Sequence, residues 1–411
     1  MIYPRDLLLK IKPYLGEDTI IVIHGARQLG KTHLLYLIAK ELEQKKQPFL
    51  YIDLEDPLLL ETLNKGADSL IEYSKGEGHP ENQKLYILID EIQYLENPSS
   101  LLKMIADHHK WIHLVVSGSS TFAIKSKFTD SLAGRTVDFV VYPLSFREFL
   151  TFRKIDIQVQ QATSPIHIKM LTDAYREYVL YGGYPKIVLT DSIEKKEVFL
   201  KQIIDTYIRK DIRDLGRIQD IEKFNKLLVV LAAQSGTLLN SSRLSKELRL
   251  SIQTVEKYLL LLQETYIIRL VSPYSKSPHV EVVKAPKIFF YDSGMATLLW
   301  MKNFPHIVVG SAFETSIFSE LVKEYGVENV LYWRTKAKQE IDFILTSQKG
   351  ATQHVLPIEA KLNGAGFRKG AVSSFNTRYG IYNYRLVCLE GTDGTSTQIY
   401  PWQLADEGIF K

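Results

Sequence analysis

Eight consecutive residues constrain this chain more than any others. Gly25, Ala26, Arg27, Gln28, Leu29, Gly30, Lys31 and Thr32 fit the pattern G-x-x-x-x-G-K-[ST] without a mismatch. Residues 19–24 before them (Thr-Ile-Ile-Val-Ile-His) are apolar and largely β-branched, which predicts a buried strand. Residues 33–40 after them, starting with His33, carry apolar side chains at helical spacing. Strand, glycine loop and helix form the setting in which this pattern is a P-loop. The glycines let backbone N–H groups close around phosphate oxygens at the positive end of a helix dipole. Residues 25–33 are therefore expected to bind ATP. Lys31 would reach the β- and γ-phosphates, and the Thr32 hydroxyl would ligate Mg²⁺. Arg27, inside the loop, is a candidate for direct phosphate contact.

Two more strand-like runs follow, at residues 49–54 and 85–91, alternating with helical patterns. That alternation predicts βα units and a mostly parallel sheet. The second run ends in Asp90 and Glu91, as a Walker B motif does. Asp90 is expected to hold Mg²⁺ through its water shell, and Glu91 to polarise the water that attacks the γ-phosphate. A fourth run, 112–116, leads into Ser117, Gly118, Ser119 and Ser120. Those hydroxyls read either as γ-phosphate sensors or as ordinary turn chemistry. Residues 131–135, Ser-Leu-Ala-Gly-Arg, precede a strand at 137–142 and the run Pro143, Leu144, Ser145, Phe146, Arg147, Glu148, Phe149. Arg135 is a candidate arginine finger, with a surface arginine as the alternative from spacing alone.

With 411 residues the chain should form two or three domains. A net charge of +4 is too small by itself to argue for nucleic acid. The single cysteine, Cys388, excludes an intrachain disulfide framework and suits a reducing cytosol. No signal peptide is evident, because the first apolar run is broken by Lys10 and Lys12. The richest later run, 258–271, contains Gln263, Glu264 and Arg269 and is not a membrane span. A cytoplasmic protein without a membrane partner is expected.

Taken together, the run from Gly25 to Thr32, Asp90-Glu91-Ile92-Gln93, Ser-Gly-Ser-Ser, Leu-Ala-Gly-Arg and Pro-Leu-Ser-Phe-Arg-Glu-Phe resemble one family. It is the prokaryotic AAA-type ATP-binding proteins with a C-terminal domain of unknown function. The resemblance covers nearly the whole chain and implies a P-loop ATPase core of the additional-strand, conserved-glutamate type. It also implies that Tyr181-Gly182-Gly183-Tyr184-Pro185 is similar to a Gly-x-Pro element, which would bring Pro185 to the nucleotide. From the residues alone that stretch reads as a helix-breaking turn.

The expected class is α/β, with a P-loop ATPase core on a parallel sheet (1–160), a helical lid (161–217), a winged helix-turn-helix (218–300) and a C-terminal α/β nuclease-like domain (301–411). The winged-helix expectation rests on three helical patterns, at 221–234, 243–248 and from 251 on, followed by strand-like runs at 266–271 and 287–292. Ser251, Gln253, Thr254 and Lys257 would open the recognition helix and face DNA. The surrounding charge is only mildly basic, and such modules also serve protein contacts.

In the last quarter, Asp342 lies in the strand-like run 340–345, and Glu359 and Lys361 in the run 355–361. Strand alternation puts Glu359 and Lys361 on one face. Two carboxylates and an ammonium would thus lie in reach of one metal, the oxygen set suiting a hard cation such as Mg²⁺, and the lysine could orient or deprotonate water. This set resembles the PD-(D/E)XK nuclease fold, which implies Glu314 as a further acid. Arg334 and Lys336 nearby suit phosphate. No Pro-Asp precedes the motif, a departure from the usual pattern. Trp300 and Trp333 read as core residues. The function expected is Mg²⁺-dependent ATP hydrolysis that controls a DNA-binding or DNA-processing module. The alternative is an ATP-dependent signalling or scaffolding switch with a non-cleaving C-terminal domain. A finger at Arg135 would act across subunits, consistent with a homo-oligomeric ring.

Overall fold

A computed structural model of the protein describes residues 3–118, 132–157, 159, 164–207, 218, 220–275, 285–349, 352–392, 395–406 and 408–410. Ser119, Ser120, Ser131 and the end of the expected lid (208–217) lie outside the described residues. The chain divides into two compact units. The first is Met1–Tyr142 with Glu264–Tyr266, and the second is Pro143–Gln263 with Ile267–Lys411.

The first unit is built on five parallel strands: β1 (Ile20–Gly25), β2 (Phe49–Asp53), β3 (Leu85–Asp90), β4 (Ile112–Gly118) and β5 (Thr136–Val141). Their order is β2-β3-β4-β1-β5. Every residue of β1 and β3 is buried, which is why those runs are mostly apolar rather than alternating. Register sets Ile23 beside Ser117 and Asp53 beside Asp90. The C-terminal ends of these strands therefore share one edge of the sheet. The helices after the strands start where the sequence supplies caps. Asp56 accepts from Leu58 N–H ahead of Pro57–Asn64, and Asn97 from Ser100 N–H ahead of Pro98–His108, each helix opening on proline. Ile20, Val22, Ile87, Ile89, Leu102 and Ile105 belong to the core on one face of the sheet.

In the second unit, the helices Ile221–Ala233, Ser241–Leu248 and Ile252–Glu264 precede an antiparallel pair, β6 (Ile268–Val271) and β7 (Lys287–Phe290). A further five-stranded sheet has the order β12-β11-β10-β9-β8. Its strands are β8 (Val330–Arg334), β9 (Glu340–Lys349), β10 (Thr352–Asn363), β11 (Arg385–Glu390) and β12 (Gln398–Ile399). β8, β9 and β10 pair antiparallel, whereas β10 and β11 run parallel. The parallel step needs a crossover, which the helix Gly370–Tyr379 supplies. Trp333 is buried against Phe375, but Trp300 is 39% exposed near the end of the helix Ser293–Met301, so only the first is core.

Residues 143–160, grouped with the ATPase core from sequence, fall in the second unit. Hydrogen bonds explain it. Ser145 and Glu148 form a capping box that starts the helix Phe146–Phe152. Phe146 N–H donates to Glu320, and the Leu144 carbonyl accepts from Tyr178 Oη and Lys323 Nζ at 2.8 and 2.9 Å. The Pro-Leu-Ser-Phe-Arg-Glu-Phe run is a structural anchor.

Candidate functional site

Gly25 ends β1 with φ +151°, and a Cβ there would fall on the Val141 carbonyl oxygen, so only glycine fits. Gly30, at φ +92°, caps the helix Lys31–Gln44. The chain thus turns from strand to helix over residues 26–30, with the helix N-terminus at the turn. Lys31 is buried, and its Nζ donates to the Gly25 and Ala26 carbonyls at 3.0 Å each. The ammonium is held inside the loop. His33 bonds the Tyr3 carbonyl through Nε2 at 2.8 Å.

Asp90 is the hub of this site. Thr32 Oγ1 donates to its Oδ2 at 2.6 Å, Tyr51 Oη donates to the same oxygen at 3.3 Å, and Ser117 Oγ donates to Oδ1. Burial, the bond with Tyr36 and the charge of Asp90 all raise the Tyr51 phenol pKa, so Tyr51 stays a donor. Thr32 and Asp90 set a hydroxyl and a carboxylate oxygen side by side, a donor set that fits Mg²⁺. Glu91 follows with φ +55°, a left-handed conformation unusual for a non-glycine residue. Its carboxylate accepts from the Gln93 side-chain amide.

Other expected residues lie elsewhere. Arg135 sits just before β5, and its carbonyl accepts from Ile20 N–H at the start of β1. That is the opposite end of the sheet from the P-loop, roughly 17 Å away at strand rise. Its guanidinium is paired with Asp107 at 2.7 Å (Nε) and 3.2 Å (Nη2) and lines a cavity with Asp18, Lys110 and His113. It does not reach the phosphate loop of its own copy. Pro185 opens the helix Pro185–Val188 in the second unit. The preceding glycines are demanded by close approach. Gly183 N–H donates to Asp292 Oδ2 at 2.7 Å, and a Cβ on Gly182 would strike that carboxylate.

In the second unit, Ser251, Gln253 and Lys257 are exposed at the start of the helix Ile252–Glu264, with Thr254 half-buried. Ser251 Oγ accepts from Thr254 N–H at 3.0 Å, so it serves that helix as a cap.

The structure brings Asp342, Glu359 and Lys361 together. Lys361 Nζ lies 2.9 Å from Asp342 Oδ2 and 2.9 Å from Glu359 Oε2, and Ala360 N–H also donates to Asp342. Burial and the neighbouring Asp342 charge push the Glu359 pKa up to about 8 against the pull of Lys361. Burial and the same aspartate push Glu314 up to about 7. Burial opposes the charge of Asp342, but Lys361 and Lys287 win and hold its pKa low.

Sequence reasoning did not find Lys287. It is 1% exposed on β7, with Nζ 3.1 Å from Glu314 Oε1 and 2.7 Å from Glu340 Oε1. Glu340 in turn pairs with Arg334 at 2.7 Å. The alternation that aligns Glu359 with Lys361 also sets Glu340 on the face of Asp342, and that signal was available. Lys287 lies 27 residues before Glu314 and carried none. The expectation that Glu314, Asp342 and Glu359 share one cation meets this pairing. Among the described residues, no group of three or more His, Cys, Asp or Glu side chains is arranged to hold a metal ion. Lysine ammoniums contact each of these carboxylates instead.

Residues 17–150 match the AAA domain family. That match, on the stretch that holds the phosphate loop and Asp90, supports a P-loop ATPase. Beyond it, residues 172–305 and 309–401 match two domains of unknown function, DUF8612 and DUF4143. An uncharacterized protein of Methanocaldococcus jannaschii is 28% identical over 349 residues, covering 83% of this chain and 74% of that protein. One of Haemophilus influenzae is 27% identical over 353 residues, 84% of each. A Walker-type ATPase of Pyrococcus abyssi is similar over 72% of this chain and 96% of that chain, at 15% identity and a TM-score of 0.47. Among the described residues no helix is long and apolar enough to cross a membrane.

Proposed function

We propose that the ATPase domain hydrolyses ATP with Mg²⁺ and that this cycle controls a DNA-directed module in the rest of the chain. One observation carries the hydrolytic reading: the Thr32 hydroxyl on the Asp90 carboxylate at 2.6 Å, with Glu91 next in the chain. In this reading residues 25–33 hold the triphosphate and Lys31 exchanges its loop carbonyls for the β- and γ-phosphate oxygens. Thr32 and Asp90 hold Mg²⁺, which when bound neutralises charge developing on the phosphates. Glu91 orients water and takes its proton. Arg27 contacts phosphate, and Pro185 lies with the nucleotide when the chain closes on it. Arg135 serves the site of a neighbouring copy in a homo-oligomer.

The DNA-directed part is proposed as a winged helix over residues 218–300, reading DNA through Ser251, Gln253, Thr254 and Lys257. The exposure of three of these four at a helix N-terminus supports it. Asp342, Glu359 and Lys361 would be the processing set of a nuclease-like C-terminal part. The lysine pairing of these carboxylates favours a second reading, a switch whose C-terminal part binds partners without cutting. ATP turnover measured with single-stranded, duplex and branched DNA tests the first. Stimulation supports it, and indifference to every DNA form contradicts it. Mg²⁺-dependent cleavage lost in Asp342→Ala and Glu359→Ala would decide against the switch.

A further inference from the structure

Arg5 belongs to no motif, yet it grips the phosphate loop. Its side chain is buried, and Nη1 donates to the Leu29 carbonyl at 2.7 Å while Nη2 donates to the Tyr142 carbonyl at 3.0 Å. Leu29 lies inside the loop, and Tyr142 directly follows β5. Two residues earlier, the Tyr3 carbonyl holds His33 on the first turn of the helix Lys31–Gln44. The segment before the first strand therefore holds the loop on both sides of Lys31 and Thr32.

The geometry has a direct electrostatic consequence. A trans peptide sets its C=O and N–H in opposite directions. Fixing the Leu29 carbonyl on a guanidinium thus fixes the direction of the Gly30 N–H, because both belong to one peptide plane. A cation on the carbonyl oxygen also polarises that peptide and strengthens its N–H as a donor. P-loops bind phosphate with such N–H groups. A buried guanidinium would be costly without acceptors, and its planar fork meets one carbonyl at each terminal nitrogen, a geometry that a lysine's point charge does not reproduce.

We propose that Arg5 is a positioning residue of the nucleotide site, orienting and polarising the Leu29–Gly30 peptide and tying the loop to the end of β5. It rests on the ATPase reading of the loop.

The test uses the full-length chain and its Arg5→Ala, Arg5→Lys and Lys31→Ala variants. A fluorescent ATP analogue reports binding, and steady-state turnover separates KM from kcat. Arg5→Ala should raise the Kd and KM for ATP by about 10- to 100-fold while kcat stays within about 3-fold. Arg5→Lys should recover part of the affinity, since it keeps the charge but loses the planar fork. If Arg5→Ala does not fold, Arg5→Lys decides alone, with a KM clearly above wild type expected. A folded Arg5→Ala or Arg5→Lys protein with wild-type Kd and KM overturns the proposal. Wild-type binding in Lys31→Ala would instead overturn the ATPase reading beneath it.

Discussion

Asp90 and Glu91 are neighbours in the chain but not in backbone shape. Asp90 ends β3 in a dense hydrogen-bond set, whereas Glu91 turns through a left-handed conformation that costs on the order of 1–3 kcal/mol at a non-glycine residue. The two carboxylates have different partners, Thr32 and Ser117 for Asp90 and Gln93 for Glu91, as a divided labour between metal and water requires. Glu91→Gln should keep ATP binding and lower turnover by about 10²–10⁴-fold, as read by single-turnover hydrolysis beside a binding titration. The motif residues were legible because chemistry and spacing coincide in one short stretch. Arg5 and Lys287 were not, because each acts on partners far along the chain, and a lone arginine or lysine carries no local pattern. Lys287 yields its own prediction. Removing one partner of a buried ion pair strands the other charge, so Lys287→Met should destabilise the second unit by about 3–5 kcal/mol in denaturant unfolding. Because Glu314 already has Lys287, Glu314→Gln should leave Mn²⁺ affinity of the nucleotide-free protein unchanged.

Among elements, β1, β3 and β4 could be read directly, since buried parallel strands are near-continuous apolar runs. Their order could not, because β5 returning beside β1 is decided by packing and not by any local run. The same limit hid the partner of Arg135, whose strand start is set by the sheet and whose charge goes to Asp107. In the C-terminal sheet, β10 carries a titration signature. The folded state holds the Glu359 proton up to about pH 8, against an ordinary glutamate value of 4.5. The folded protein therefore binds more protons than the unfolded chain across that interval, and stability falls as pH rises through it. Thermal midpoints should decline from pH 6 to pH 9, and Glu359→Gln should flatten the decline.

For the whole molecule, the boundary between units at Tyr142 and Pro143, and the return of Glu264–Tyr266 to the first unit, were beyond sequence reading. Tyr266 shows why. Its hydroxyl meets His24 Nδ1 at 2.5 Å across 242 residues, one residue before the P-loop. The account stands on the first unit being a working ATPase. Phosphate release from ATP and Mg²⁺ by the intact chain, compared with Lys31→Ala and Glu91→Gln at equal folded concentration, tests that claim most directly. The account predicts steady turnover in the wild type, loss of binding and turnover in Lys31→Ala, and binding without turnover in Glu91→Gln. Equal phosphate release from all three proteins would contradict it.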